Sequence, residues 1–471
     1  MLMKSILVLS IISGSVLAAN GMTVECEAGL LSTKIKNPSG VTELVLTGCA
    51  DASDFYFMEH SMPGLRLLDM SDLTILSYEG APLGSVSYYR AGEIPCAVFA
   101  ASQLESVVLP AGCSVGDLAF AGSALTDIRI PNGTRVGEGA FSQCARLTSA
   151  TIEGAVELGR GTFSSCGSLE TIAGSEKIEV IPARAFEGCV SLGNFGFGAG
   201  LRSVGESAFA GSAVAEADMS ACVLLDSVSS WAFAGDSSLR KAVFPDHLEK
   251  IGSGIFFECT SLSDVRLPNE MKDLPAYSFK DASAVEGSFI LPDNIASVGE
   301  YALMGASSVS TIKLPSALVS IGEGAMEDMK YLSDIDALSL ASVPALGDEV
   351  WAGVDQKNVI LNVDPLLESA FESTPQWQEF HIQGTSTSTA VPVAGEKKIR
   401  AVFDGYMLIV ESIGETIDRI GLFDVSGISL YNESGLSSAQ VRIDTSHSDS
   451  TVYIVDCTLS DGTRGSVKIL R

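Results

Sequence analysis

A chain of 471 residues with 58 acidic and 29 basic side chains carries a formal net charge of −29. Nucleic acid and anionic membrane surfaces attract such a protein only through a clustered basic stripe, and the sequence contains none. Charged residues at 18% and aromatics at 7%, with 46 glycines, suit a long, regular β-rich stack better than three ordinary domains.

At the N-terminus, Lys4, the apolar stretch Ser5 to Ser15 and Val16-Leu17-Ala18 predict a signal peptide over residues 1–18. An exported protein follows, extracellular or on an outer-membrane surface. No later run reaches the roughly 18 consecutive apolar residues needed to span a bilayer. Cys26 lies several residues past the apolar stretch, which argues against a lipoprotein anchor.

From residue 94 one feature dominates. A phenylalanine returns about every 23 residues, a period that marks a chain of supersecondary units stacked on one another. The series runs Phe99, Phe120, Phe141, Phe163, Phe186, Phe209, Phe233, Phe256 and Phe279, and Leu303 and Met326 continue it. In Ile251 to Pro268 the alternation of Leu262, Val265 and Leu267 predicts a short strand with one buried face. Pro268, like Pro110, Pro131, Pro245, Pro292 and Pro315, ends that strand by removing a ladder donor. The Gly-x-x-Ala-Phe-x-x-Cys segment before it spaces apolar residues three apart and predicts a short helical corner. The expected fold is mainly β: a solenoid of one strand and one helical corner per repeat. Its apolar ladders are read as a structural spine.

Cys144, Cys166, Cys189 and Cys259 share one repeat offset, where other repeats place Ser123, Ser212 or Ala282. The position takes something small and mildly apolar, so buried free thiols are expected. A ladder disulfide between Cys144 and Cys166 or between Cys166 and Cys189 is the alternative, since adjacent rungs bring them within bonding range. Cys-x-x-Cys is absent and the four histidines are scattered, so no metal site is expected. Zincin and phosphate-loop signatures are missing as well, and no cofactor is expected. Gly112-Cys-Ser114-Val-Gly116 matches a nucleophile-elbow string, but Gly116 occupies the repeat's own glycine position, and the protein is read as non-catalytic.

Residues 384–395 read as a Ser/Thr linker. Beyond it, 396–471 holds seven short apolar runs, with Asp404-Gly405 and Asp461-Gly462 at turns, and predicts a small antiparallel β-sandwich.

The repeats resemble the BspA-like leucine-rich repeat family, whose pattern Val136 to Ile152 and Ile251 to Pro268 carry nearly whole. The likeness covers 94–383. Val41 to Thr47, Phe55 to Met62 and Leu67 to Ser71 resemble atypical N-terminal capping repeats over 19–93, and Trp377 to Ile382 a closing rung. The tail resembles the sorting domain of type IX secretion substrates, in Ile420 to Gly427, Val452 to Val455 and Lys468 to Arg471. These resemblances imply a secreted or surface-displayed adhesion protein that binds host or cell-surface glycoproteins, with a tail that acts as an export address. A glycan-capturing accessory protein is the alternative. If the strand positions between buried ones face outward, Arg129, Thr151, Asp218, Val243, Arg266 and Lys313 form a partner-facing row, with protein or glycoprotein the expected partner.

Overall fold

The computed structural model describes residues 21–80, 87–384, 391–392, 399–404, 407–412, 415–424, 429–445, 452–462 and 464–470. The expected signal peptide and most of the expected linker lie outside them. The chain divides into two compact units: Met1–Ile335 with Leu340–Ile360 and Glu379–His381, and Asp336–Ser339 with Leu361–Gln378 and Ile382–Arg471.

The first unit opens on a parallel sheet of Gly21–Cys26, Glu43–Ala50 and Leu67–Ile75, whose free edge takes Ser106–Val108, a strand of the Phe repeats. A helix, Ala52–Ser61, crosses between two of these strands. The Asp51 carboxylate accepts from Ser53 N–H, and Asp54 returns the bond to Asp51 N–H in a capping box. Asp54, 2% exposed, also accepts from Gly29 and Leu31 N–H at 2.7 and 3.0 Å. One buried carboxylate thus satisfies three amides, which offsets its desolvation. Phe55, on the same helix, lies 6.2 Å from Phe99 and caps the aromatic ladder.

Later coils add parallel strands in register within short sheets of three to five strands. Ile128, Ala150 and Ile172 lie side by side, as do Ile130 and Ile152, all buried. A second ladder, two residues per coil, joins Ile94, Val115 and Val136 across a separate face. Solenoid, strand and proline stop are as the sequence predicts.

The corner is not helical, and this corrects the expectation. Leu118, Phe120 and Gly122 N–H donate at 2.7–2.9 Å to Glu138, Ala140 and Ser142 carbonyls of the next coil. Ala119, Ala121 and Ser123 N–H instead close turns onto the residue three back. Leu118 and Gly122 hold left-handed backbone, φ 56° and 66°. A helix would keep every bond inside its own coil. Alternating turn and left-handed residues releases every second amide to the neighbour, which stacked coils require.

Inside, the phenylalanines form a column. Ring centroids from Phe99 to Phe233 step by 5.2–5.8 Å, and the planes of Phe209 and Phe233 differ by 3°. Offset-stacked pairs add about 0.5–1.5 kcal/mol each beyond burial. Leu303 and Met326 extend the column, fully buried.

Beside it runs the small-residue ladder. Cys144, Cys166, Cys189 and Cys259 Sγ donate at 3.0–3.2 Å to Phe120, Phe141, Phe163 and Phe233 carbonyls of earlier coils. All ten cysteines are free. Burial pushes the Cys189 thiol up to about 12, which keeps it protonated and donating.

Asp236 occupies this same ladder position with no exposure. Ser212 Oγ donates to it at 2.8 Å, and Ser238 and Leu239 N–H at 3.0 and 3.2 Å. Burial nonetheless dominates and raises its carboxyl to about 6.

In the second unit, Phe371 on helix Glu368–Ser373 meets Trp377 edge-on at 5.2 Å. Among the described residues, eight antiparallel strands follow in two sheets. One orders Val391–Pro392, Arg464–Leu470, Val452–Leu459, Ile417–Asp424 and Ser429–Ser438; the other Ile399–Asp404, Met407–Ser412 and Gln440–Asp444. Leu408, Val410, Val441 and Ile443 from one sheet and Ile420, Leu422, Tyr453 and Val455 from the other share one buried cluster.

Asp236 makes stability depend on pH. Its folded value lies above the ordinary 3.8, so its contribution is complete below pH 3.8 and is lost as pH rises through about 6. Asp236→Asn is therefore expected to raise stability at pH 7.5 by about 2–3 kcal/mol and to leave it unchanged at pH 3.5. Urea unfolding at the two pH values checks this; an equal shift at both would refute the titration.

Candidate functional site

The positions expected to form a row fall in three separate sheets and are uneven in exposure. Arg129 faces Thr151, and Asp218, Val243 and Arg266 lie on three consecutive strands; Lys313 sits opposite Ile290. Arg129, Asp218 and Arg266 are exposed, and Thr151 and Lys313 half-buried. Val243 departs from the expectation: it is 9% exposed, a short side chain in register between two longer ones. The charges are already paired across coils. Arg129 Nε meets Glu153 at 3.1 Å, Lys241 Nζ meets Asp218 at 3.3 Å and Arg266 Nη2 meets Asp246 at 3.0 Å. Exposed pairs of this kind contribute about 0–1 kcal/mol. The Ser220 hydroxyl and N–H, then Lys241, hold the Asp218 carboxyl below its usual range.

Between Thr151 and Asp218 the row is interrupted, because the sheet itself breaks. One three-stranded sheet ends at Thr171–Ala173 and the next begins at Glu216–Asp218. The coil between them, Gly193 to Gly198, makes a single bridge, Asn194 to Thr171, and Gly193 O accepts from Ala215 N–H. Gly196 N–H then turns to Ser175 Oγ at 2.9 Å. Phe195 and Phe197 still point inward, against Phe186, Phe209 and Phe233. Outward positions carry Thr171 and Asn194, then only Ala173 and Gly196. The result is a trough of about 770 Å³, rimmed by Glu176, Glu216, Asp218 and Arg240.

Sequence reading missed the trough, although a signal stands in Gly193-Asn-Phe-Gly196-Phe-Gly198. Gly196 and Gly198, two apart, remove outward side chains, and the three glycines lower strand propensity. Gly198 has no choice, since a Cβ there would fall 1.8 Å from the Glu176 carbonyl.

A second surface lies over the corner. Trp231, Tyr277 and Tyr301 occupy one repeat offset, all half-buried. Trp231 spreads across Gly254 to reach Tyr277 at 6.1 Å, and Tyr277 stacks on Tyr301 at 5.5 Å. Lys280 Nζ stands 5.8–5.9 Å from the rings of Phe257, Tyr277 and Tyr301, within cation–π range. The Tyr301 hydroxyl donates to Glu323, which pushes its phenol up to about 12.

Neither surface pairs a nucleophile with a base. Ser114, from the elbow-like string, sits in a two-residue strand between Glu93 and Arg135, and Gly116 lies tight against the Ile94 carbonyl. Among the described residues no group of three or more His, Cys, Asp or Glu could hold a metal ion, and no helix is long and apolar enough to cross a membrane. What the trough and the column offer is hydrogen bonding, charge and aromatic surface.

Comparison with known proteins agrees with the repeat reading. A family described as "BspA type Leucine rich repeat region (6 copies)" matches at 92–215, 156–286, 226–358 and 286–390. Residues 387–471 match a family described only as a domain of unknown function. No curated protein matches the chain significantly. A leucine-rich repeat protein from Bacteroides ovatus is 22% identical with a TM-score of 0.58, covering 74% of this chain and 85% of that one. At that identity it shows the fold. The pneumococcal vaccine antigen PcpA is 17% identical (TM-score 0.40; 64% and 86% covered). A leucine-rich cell surface protein of Faecalibacterium prausnitzii is 20% identical (TM-score 0.25; 47% and 82% covered).

Because an added Cβ at Gly254 would lie 2.2 Å from Trp231 Cε3, at φ +63°, Gly254→Ala is expected to displace the indole and to destabilise by about 1–2 kcal/mol. Trp351 and Trp377 are buried, so a red shift in tryptophan emission reports Trp231; unchanged emission would count against the packed column.

Proposed function

The chain belongs to the BspA-type leucine-rich repeat family, and on that premise we propose that it is an exported, surface-displayed binding protein that captures protein or glycoprotein partners without catalysis. The observation that carries this reading is the interrupted sheet face, where a 770 Å³ trough crosses four coils between charged rims. Set along a sheet face built from many coils, it belongs to the kind of extended surface on which a large partner buries about 800 Å² per side. Rigid coils add to this, since little surface must be ordered on binding.

Glycan capture is the second reading, and the column of Trp231, Tyr277 and Tyr301 favours it, because aromatic surface with a cation and a carboxylate beside it suits sugar rings. The tail, in this reading, serves as a type IX export address, supported by its likeness in Ile420 to Gly427 and Lys468 to Arg471.

Whole chain immobilised against host matrix glycoproteins and a glycan panel separates the two. Arg129→Glu with Arg266→Glu is expected to weaken glycoprotein capture at least tenfold with thermal unfolding unchanged; unaltered capture would sink the sheet-face assignment. Glycan-only binding would favour the aromatic column. Deleting 396–471 is expected to abolish surface display in a type IX-competent host while the protein still accumulates in the cell, and display without the tail would refute its role as an address.

A further inference from the structure

We propose that the trough holds a neutral oligosaccharide carried by a glycoprotein partner, laid across successive coils of the interrupted sheet. This deepens the glycoprotein reading above and rests on it.

The trough is walled by side chains that the protein itself leaves unused. Asn194 bridges Thr171, and Ala215 N–H donates to the Gly193 carbonyl, which brings Asn194 level with Glu216. Thr171, Asn194 and Glu216 therefore form a wall of exposed polar groups, one per coil, at the strand spacing of about 4.8 Å. Exposed Arg240 continues the wall on the next coil. Among the described residues, the side chains of these four make no hydrogen bond or ion pair. Beside them Ala173 and Gly196 leave the surface low, and half-buried Phe197 lines the floor.

A hydroxyl, an amide, a carboxylate and a guanidinium together supply both the donors and the acceptors that sugar hydroxyls need. Asn194, Glu216 and Arg240 each hold two polar atoms side by side, which suits a pair of neighbouring hydroxyls. Phe197 offers its ring to the C–H face of a sugar, whose weakly positive hydrogens complement the negative face of the aromatic system. One polar group per ladder spacing is close to one per sugar unit, so a glycan running from coil to coil meets them in turn. The volume of about 770 Å³ lies within the roughly 300–1,000 Å³ of small-molecule sites. An extended peptide gains less here, because the coil Gly193 to Gly198 already stands between the flanking strands and leaves no open edge.

Charge sets the class of glycan. Glu176, Glu216 and Asp218 outnumber Arg240 around the trough, and the whole chain carries −29. Sialylated, sulfated and uronic-acid glycans are repelled by both the local and the overall field.

The test uses the full chain against three immobilised proteins: asialofetuin, whose glycans are neutral; its sialylated parent, fetuin; and asialofetuin stripped of glycans enzymatically. Binding is expected to asialofetuin, at least tenfold weaker to fetuin, and absent for the stripped form. Gly193→Leu, at a position where an added Cβ meets nothing within 4 Å, is expected to weaken asialofetuin binding at least tenfold by filling the trough. Asn194→Ala with Arg240→Ala is expected to do the same by removing hydrogen bonds, both variants with wild-type melting. Equal binding of fetuin, or wild-type affinity in both variants, would overturn the proposal. Loss of binding in Trp231→Ala alone would assign the glycan to the aromatic column and overturn it too. If the stripped protein is held equally, or if matrix glycoproteins are captured and asialofetuin is not, the trough proposal falls and the capture reading stands. If neutral glycans released from asialofetuin bind and depend on Asn194, yet no intact glycoprotein is held, the capture reading falls and the trough assignment stands.

Discussion

No coil of this protein can bury its own apolar face, and everything else follows from that dependence. The residues at the coil centre, Phe141 with Cys144 and Leu147 for instance, are fully buried only because coils on both sides cover them. Stacking at strand spacing is therefore compulsory. It dictates the register of the sheet, the release of alternate corner amides to the next coil, and the use of a thiol or hydroxyl where a carbonyl from an earlier coil needs a donor.

The regular part of this was legible in the sequence because regularity is a statement about repeated environments. Phe99 to Met326 are buried in one ladder since each meets the same neighbours, and a period suffices to find them. Offsets say less about backbone conformation. Gly-x-x-Ala-Phe has the spacing of a helical turn, yet the demand for bonds between coils overrides it, and left-handed residues such as Leu118 and Arg184 are invisible to a reading of apolar spacing. Val243 illustrates the same limit, because its burial depends on the length of the side chains in register beside it.

Departures from the repeat were the hardest to read and carry the most chemical interest. Asp236 stands where a cysteine would do, and only the structure gives it Ser212 and two amides as partners. Gly193 to Gly198 scans as a weak repeat, whereas in three dimensions it opens the sheet. Trp231 is separated from Tyr277 in sequence by a coil whose glycine makes room for the indole. In a lattice of identical rungs, specificity has to come from such irregularities, since a perfect repeat presents every partner with the same surface at every step.

The coil-to-coil hydrogen bonding of the corner has an evolutionary corollary. In the corner each coil exchanges main-chain bonds only with the coils next to it, so an in-frame duplication of one coil leaves no corner amide stranded. The molecule grows by one ladder spacing, about 4.8 Å, for each copy gained. Recombination within such a gene shifts the trough relative to the aromatic column in discrete steps, so the separation of these two surfaces becomes a quantity that copy number alone can tune.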